Sequence, residues 1–216
     1  MAPTRWLFPD AVLWDGALLE SVAVEVSPAG ELLSAGKPPP GAPVERLPRR
    51  LLLPGLVDVH SHAFQRTLRG RTQARSPDVE VDDFWTWREV MYQAALQLDP
   101  EGVYLASRQC FLEMALAGVT AVGEFHYLHH QPDGRPYDDP NAMARALFEA
   151  AAAAGVQLTL LDSCYLQAGP GGEVLEGVQR RFSDGSGEAW SARCSALLSA
   201  MAETDRIELC GGVMIA

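Results

Sequence analysis

From residue 54 onward, short apolar segments alternate with longer segments that have the pattern of helices. Strands are predicted at 54–62, 119–125, 156–161 and 207–216. Helices are predicted between successive strands, at 100–116, 139–155 and 188–203. Such alternation is typical of βαβ units, which place their strands side by side in a parallel sheet. The sequence therefore predicts an α/β fold with four parallel strands, a count that fits either half of a barrel or an open doubly wound sheet.

The residues that precede this region have a different pattern. Short strands are predicted at 11–14 and 22–26, with a turn at Asp15-Gly16, and the proline-rich segment 37–41 is predicted as a loop. Short alternating strands with tight turns favour a small N-terminal β-sandwich domain, or part of one, over residues 1–53. The barrel-type domain would then cover 54–216. Within it, residues 66–82 are predicted as a long loop and 83–92 as a short helix that carries aromatic side chains.

The first strand of the α/β region ends in two histidines, His60 and His62. Side chains of a strand alternate with period two, so both imidazoles project from the same face, close enough to share one metal ion. The carboxyl end of a buried strand is where an α/β barrel places a catalytic metal. Histidine ligands favour zinc, and iron, nickel and cobalt also suit imidazole. The pair therefore predicts a metal site.

The other three histidines, His126, His129 and His130, follow the strand predicted at 119–125. Because loops after neighbouring strands of a parallel barrel meet on one face, both histidine groups are expected to face the same cleft. Within the second group, His126 and Tyr127 lie nearest the strand end and are the better candidates. For His129 and His130 a solvated polar loop is the alternative.

Composition excludes several classes of protein. A net charge of −11 argues against a nucleic-acid partner, and an anionic substrate would need local arginines to reverse that field. There is no apolar run of the roughly 18 residues that a membrane span needs, and the N-terminus has no apolar signal core. The four cysteines show no close pairing and predict free thiols in a reducing compartment, the cytoplasm.

Pro54-Gly55 followed by His60-x-His62 resembles the first-strand signature of the amidohydrolase superfamily of metal-dependent hydrolases. Within it, the segments 60–66, 84–89 and 124–130 together resemble the formimidoylglutamate deiminase family. The resemblance implies the first half of a (β/α)8 TIM-type barrel, preceded by a small β-sandwich. It also implies hydrolysis of N-formimidoyl-L-glutamate to N-formyl-L-glutamate and ammonia, a step of histidine degradation. The alternatives are another amidohydrolase deaminase or chlorohydrolase that acts on a heterocycle, and a non-catalytic half-barrel.

The resemblance also assigns roles to residues of this chain. His60 and His62 would bind one divalent metal, zinc or iron, and Gln65 and Tyr127 would approach the substrate. Arg88 would reach a substrate carboxylate, in its own or a neighbouring subunit, since a guanidinium can donate two parallel hydrogen bonds. For Arg88 the alternative is a surface salt bridge.

The third histidine ligand, the proton-shuttling histidine, the catalytic glutamate and the metal-binding aspartate of the superfamily come from later strands. The resemblance therefore implies no catalytic residue within these 216 residues. The expectation is an N-terminal part of a longer assembly, either a homodimer or a complex in which a second chain supplies the rest of the barrel. Its substrate would be a small anion.

Overall fold

The computed structural model describes residues 4–28, 30–72, 83–201 and the strand at 207–214. The chain divides into two compact units, Met1–Gly55 and Leu56–Ala216. The predicted domain boundary at residue 53 falls next to this division. Helices and strands alternate in the second unit, and the chain as a whole has a mixed α/β fold.

The first unit contains a five-stranded mixed sheet. Its strands are β1 (Arg5–Trp14), β2 (Ala17–Glu20), β3 (Ala23–Val26), β4 (Leu32–Gly36) and β5 (Val44–Leu52). The long strand β1 pairs antiparallel with β2 and β3 and parallel with β5, and β4 joins β3. At the predicted turn, Asp15 and Gly16 have φ values of 47° and 77°, which this dipeptide favours in a two-residue hairpin. The described residues of this unit form one sheet, so the predicted β-sandwich stays a prediction.

The second unit is built on a four-stranded parallel sheet in the order β6-β7-β8-β9. The strands are β6 (Leu56–Ser61), β7 (Val119–His126), β8 (Gln157–Tyr165) and β9 (Ile207–Met214). These are the four strands that the alternating pattern predicts. Because they are parallel, their carboxyl ends, including the end of β6 next to His62, lie along one edge of the sheet.

Four α-helices connect and cover these strands: α1 (Phe84–Leu96), α2 (Pro100–Leu116), α3 (Ala142–Ala154) and α4 (Gly187–Met201). Their ends follow local sequence signals. The Asp83 carboxylate accepts the backbone N–H groups of Trp85 and Thr86 at the start of α1, and Asp99 accepts that of Gly102 at the start of α2. Gly155 ends α3 with φ 75°, the left-handed conformation that favours glycine. Within the described residues, no helix is long and apolar enough to cross a membrane.

Two short 3₁₀ helices were not predicted. The predicted loop at 66–82 is wrong at its start, where Ala63–Leu68 forms a 3₁₀ helix, and residues 73–82 lie outside the described part of the chain. A second 3₁₀ helix, Gly177–Phe182, precedes α4. Each buries two or more apolar side chains in the core of the second unit, so tertiary packing rather than local periodicity specifies them.

Candidate metal centre

His60 and His62 bring two ring nitrogens together at the end of β6. Their Nε2 atoms lie 3.3 Å apart, and the ring planes meet at 77°. Two nitrogens bound to one zinc at ~2.05 Å with tetrahedral geometry would also be about 3.3 Å apart. The separation in the protein is therefore the one that a shared metal ion requires.

A backbone carbonyl of the neighbouring strand orients His62. The Nδ1 atom of His62 lies 3.1 Å from the carbonyl oxygen of Phe125, and since a carbonyl only accepts, Nδ1 is the protonated nitrogen. The lone pair is thus left on Nε2, the atom that faces His60. Burial lowers the pKa of His62, and nearby His60 lowers it further, against the opposing effect of the hydrogen bond to Phe125. The ring is accordingly held in the neutral form that can ligate a metal.

Gln65 and Tyr127, predicted to approach the substrate, lie beside this pair. The Gln65 amide donates a hydrogen bond to the Tyr127 hydroxyl at 3.1 Å, and the Tyr127 ring packs edge-on against His62 with centroids 5.6 Å apart. The hydroxyl also lies 3.7 Å from the sulfur of Met91. Burial raises the pKa of Tyr127, so its phenol stays protonated at neutral pH. The neutral Tyr127 hydroxyl and the Gln65 amide bonded to it therefore belong to the surroundings of His62.

Arg88 lies on α1 and stacks on aromatic rings. Its guanidinium carbon is 4.4 Å from the ring centroid of Trp85 and 5.3 Å from that of Tyr92. No carboxylate among the described residues lies within ion-pair distance of Arg88, so the alternative of a surface salt bridge finds no support there. The structure does not bring Arg88 into contact with the histidine pair. Packed aromatic rings connect the two instead. Tyr92, on which Arg88 stacks, contacts Phe182, and Phe182 contacts Tyr127 beside the pair.

The prediction that both histidine groups face one cleft is wrong for His126, His129 and His130. All three are buried, and the described ring contacts and ion pairs join them to one another and to Asp162 and Asp184, not to His60 or His62. The reason is strand alternation. Phe125 meets His62, so the next side chain along β7 points to the opposite face of the sheet.

The second histidine group belongs to a buried ionic cluster. Arg193 on α4 donates to both carboxylate oxygens of Asp162, at 2.8 and 3.0 Å, and to Asp184 at 2.9 and 3.0 Å. Trp190 donates to Asp162 at 2.8 Å. Burial pushes the pKa of Asp162 up, but the charges and hydrogen bonds of its neighbours hold it below its usual value. The cluster holds two carboxylates and one guanidinium, so both carboxylates share a single cation.

One ligand atom each of His126, His129 and Asp162 lie within 4.8 Å of one another, a spacing that could hold a metal. However, Arg193 and Trp190 together already donate three hydrogen bonds to the Asp162 carboxylate. A cation placed there would also lie against the Arg193 guanidinium. Among the residues that the structure describes, no arginine donates to the histidine pair at the end of β6, so the pair is the better candidate.

Sequence reasoning assigned no role to Glu124, which lies beside the pair, or to the separate Asp162–Arg193–Asp184 cluster. The sequence feature that could have identified these residues is a carboxylate within a largely apolar strand, at Glu124 in β7 and at Asp162 in β8. Such a charge is retained only when it has buried partners.

A parallel βα sheet with a histidine pair at the carboxyl end of its first strand defines an α/β protein with a candidate metal centre. Residues 51–216 match the model of the amidohydrolase family, and the chain belongs to that family.

Formimidoylglutamate deiminase from Pseudomonas aeruginosa is 41% identical over 181 residues, which cover 83% of this chain and 39% of that protein. The 8-oxoguanine deaminase of the same organism is 38% identical over 100 residues, 45% of this chain and 21% of that protein. Two further matches, 28% and 32% identical, are archaeal 5-methylthioadenosine/S-adenosylhomocysteine deaminases. The sequence relatives are thus deiminases and deaminases.

Among solved structures, an amidohydrolase from Brucella melitensis superposes with a TM-score of 0.84 at 31% identity, covering 96% of this chain and 45% of that one. Atrazine chlorohydrolase from Arthrobacter aurescens, complexed with zinc, superposes with a TM-score of 0.73 at 17% identity, over 97% of this chain and 46% of that one. The latter shows a shared fold alone. The chain spans less than half the length of the relatives that it matches.

Proposed function

We propose that this chain forms the metal-binding first half of a (β/α)8 barrel whose complete enzyme hydrolyses N-formimidoyl-L-glutamate to N-formyl-L-glutamate and ammonia. The observation that carries the proposal is the His60–His62 pair, with its Nε2 atoms 3.3 Å apart and Gln65 and Tyr127 beside it. The 41% identity to a formimidoylglutamate deiminase supports the choice of substrate over other substrates of the family. We propose that this reaction is a step of histidine degradation.

His60 and His62 would hold one divalent metal, zinc or iron. Such a metal supplies Lewis-acid chemistry and lowers the pKa of a coordinated water toward ~7. A catalytic zinc site uses three protein ligands, so at least one more must come from outside this pair. The role of the protein at this point is to keep the His62 imidazole neutral, through burial, and to aim its Nε2 toward His60, through its bond to Phe125.

Gln65, Tyr127 and Arg88 would bind the substrate. The Gln65–Tyr127 pair offers a hydroxyl and an amide to the formimidoyl end, next to the metal position. Arg88, stacked on Trp85 and Tyr92, presents its N–H groups free of a protein carboxylate among the described residues. Stacking uses the faces of a guanidinium and leaves its edge for a bidentate carboxylate, so Arg88 suits a carboxylate of the glutamate moiety.

The remaining strands of the barrel would pair with the edges of the four-stranded sheet. At β6, which pairs with only β7 among the described residues, Leu56, Val57 and Val59 are 60%, 63% and 77% exposed. Apolar strand residues this exposed favour a covering partner. We propose that further polypeptide, from the same or a second chain, covers them, and that the complete enzyme is a homodimer.

The described cysteines, Cys110, Cys164 and Cys194, are free thiols. They support a reducing compartment, and we propose the cytoplasm.

The test is release of ammonia from N-formimidoyl-L-glutamate by the complete, zinc-loaded enzyme, with 8-oxoguanine and atrazine as comparison substrates. We expect turnover of the first compound and none of the other two. Stoichiometric zinc without turnover of N-formimidoyl-L-glutamate would contradict the substrate.

A heterocycle deaminase is the second candidate, favoured by the 38% identity to 8-oxoguanine deaminase. Arg88 separates the two, because a heterocycle has no carboxylate for it to bind. With the glutamate substrate we expect R88A to lower kcat/KM by about 100-fold, the ~3 kcal/mol of a charged hydrogen bond. The matched control is R108A, which removes an exposed arginine from α2. An equal effect of both variants would argue against a carboxylate at Arg88.

A further inference from the structure

Glu124 is a fully enclosed carboxylate in the strand next to the histidine pair. It is 1% exposed and lies on the face of β7 that also buries Val122 and His126. In the sheet register, Glu124 stands opposite Ser61, the residue between the two histidines. A buried carboxylate is costly unless it accepts hydrogen bonds, so its partner indicates what it is retained for.

That partner is the backbone directly after His62. Oε1 of Glu124 accepts the N–H of Ala63 at 2.7 Å. Ala63 is the first residue of the 3₁₀ helix 63–68, where backbone N–H groups have no partner within the helix. The carboxylate therefore fixes the point at which the chain leaves the strand and turns into the helix.

The next residue of β7 holds the ring of His62 itself, because the carbonyl of Phe125 lies 3.1 Å from its Nδ1 atom. Two consecutive residues of β7 thus hold His62: Glu124 fixes the backbone that follows it, and Phe125 fixes the orientation of its ring. We propose that Glu124 is a positioning residue that sets the angle of His62 toward His60, and with it the two-nitrogen geometry of the metal site. The inference rests on the proposed metal site at this pair.

Two readouts test it, the first in this chain and the second in the complete enzyme. The first is the ring ¹⁵N spectrum of His62 without metal, which reports the tautomer and its hydrogen bond. The second is titration with Co²⁺, whose visible absorption reports ligand geometry. We expect E124A to shift the His62 signals away from the Nδ1-protonated form and to weaken Co²⁺ binding by about 10-fold or more, as loss of a supporting partner does at metal sites.

The conservative variant E124Q should restore both readouts to within about threefold, since its amide oxygen can still accept from Ala63. Should E124A not fold, E124D serves in its place, because the shorter side chain withdraws the acceptor from Ala63. N141A is the control for general destabilisation. Asn141 is buried and donates to the backbone of Arg193, in the ionic cluster, so N141A should leave the His62 signals unchanged.

Unchanged His62 signals in both E124A and E124D would overturn the proposal, as would an equal shift in N141A. Failure of the complete wild-type enzyme to bind Co²⁺ would count against the proposed metal site instead. In that case the metal-free ring spectra would still decide the role of Glu124.

Discussion

At the scale of single residues, the face of β7 on which a side chain lies decides its role. Phe125 and Tyr127 meet the histidine pair, while Glu124 and His126 point into the protein between sheet and helices. The sequence predicts that the strand ends at residue 125, which leaves His126 in the following loop, where it is expected to face the cleft of the histidine pair. The structure extends β7 through His126, and strand alternation then separates His126 from the site.

Burial of His129 should make the stability of the fold depend on pH. Burial lowers the pKa of His129 to about 4, against the raising effect of Asp162. The unfolded chain takes up this proton near pH 6.5 and the folded chain only near pH 4, so acidification through that range favours unfolding. We expect the free energy of unfolding, measured with urea, to fall by up to about 3 kcal/mol from this group. H129Q should show a flatter profile between those pH values, and an identical profile would contradict the assignment.

At the scale of elements, one arginine ties α4 to the sheet and to the loop that precedes the helix. Arg193 bonds to Asp162 of β8 and to Asp184, and Asp184 in turn meets His130 at 3.1 Å. R193M would leave two buried carboxylates without their cation. We expect it to lower the free energy of unfolding by about 3–5 kcal/mol, measured by urea denaturation.

The matched control for R193M is R145M, which breaks the exposed pair between Arg145 and Asp139. An exposed pair of this kind contributes about 1 kcal/mol or less. Equal losses in the two variants would mean that Arg193 does not hold the cluster together.

The elements with regular patterns were predictable, and those fixed by distant contacts were not. Strands β6 to β9 and helix α2, with Asp99 and Pro100 at its start, follow from apolar periodicity and capping residues. The 3₁₀ helix at 63–68 depends on Glu124, some sixty residues away, and no local signal encodes that contact. The histidine pair could be predicted because its two members share one strand. The cluster around Arg193 joins four separate segments and could not.

At the scale of the whole molecule, the net charge of the chain has the same sign as the proposed substrate. The chain has a net charge of −11, yet the proposed substrate is an anion. In the proposed function Arg88 is the cation that would oppose this field at the substrate, since no described carboxylate neutralises its charge. Recognition of the proposed substrate would then depend on one arginine rather than on the surface as a whole.

The affinity for metal also depends on the whole molecule, because the chain must supply enough ligands. The two histidines at the end of β6 would supply two of the three protein ligands that catalytic zinc requires, so we expect the 216-residue chain to bind zinc weakly or not at all. Addition of the polypeptide that corresponds to the remainder of the Pseudomonas aeruginosa relative should strengthen binding by about 100-fold or more, because it would complete the ligand set. Competition against a chelator of known affinity measures both values. A H60A/H62A double variant should show no gain on addition of that polypeptide. Tight stoichiometric zinc in the isolated chain would instead mean that the described residues already complete a site.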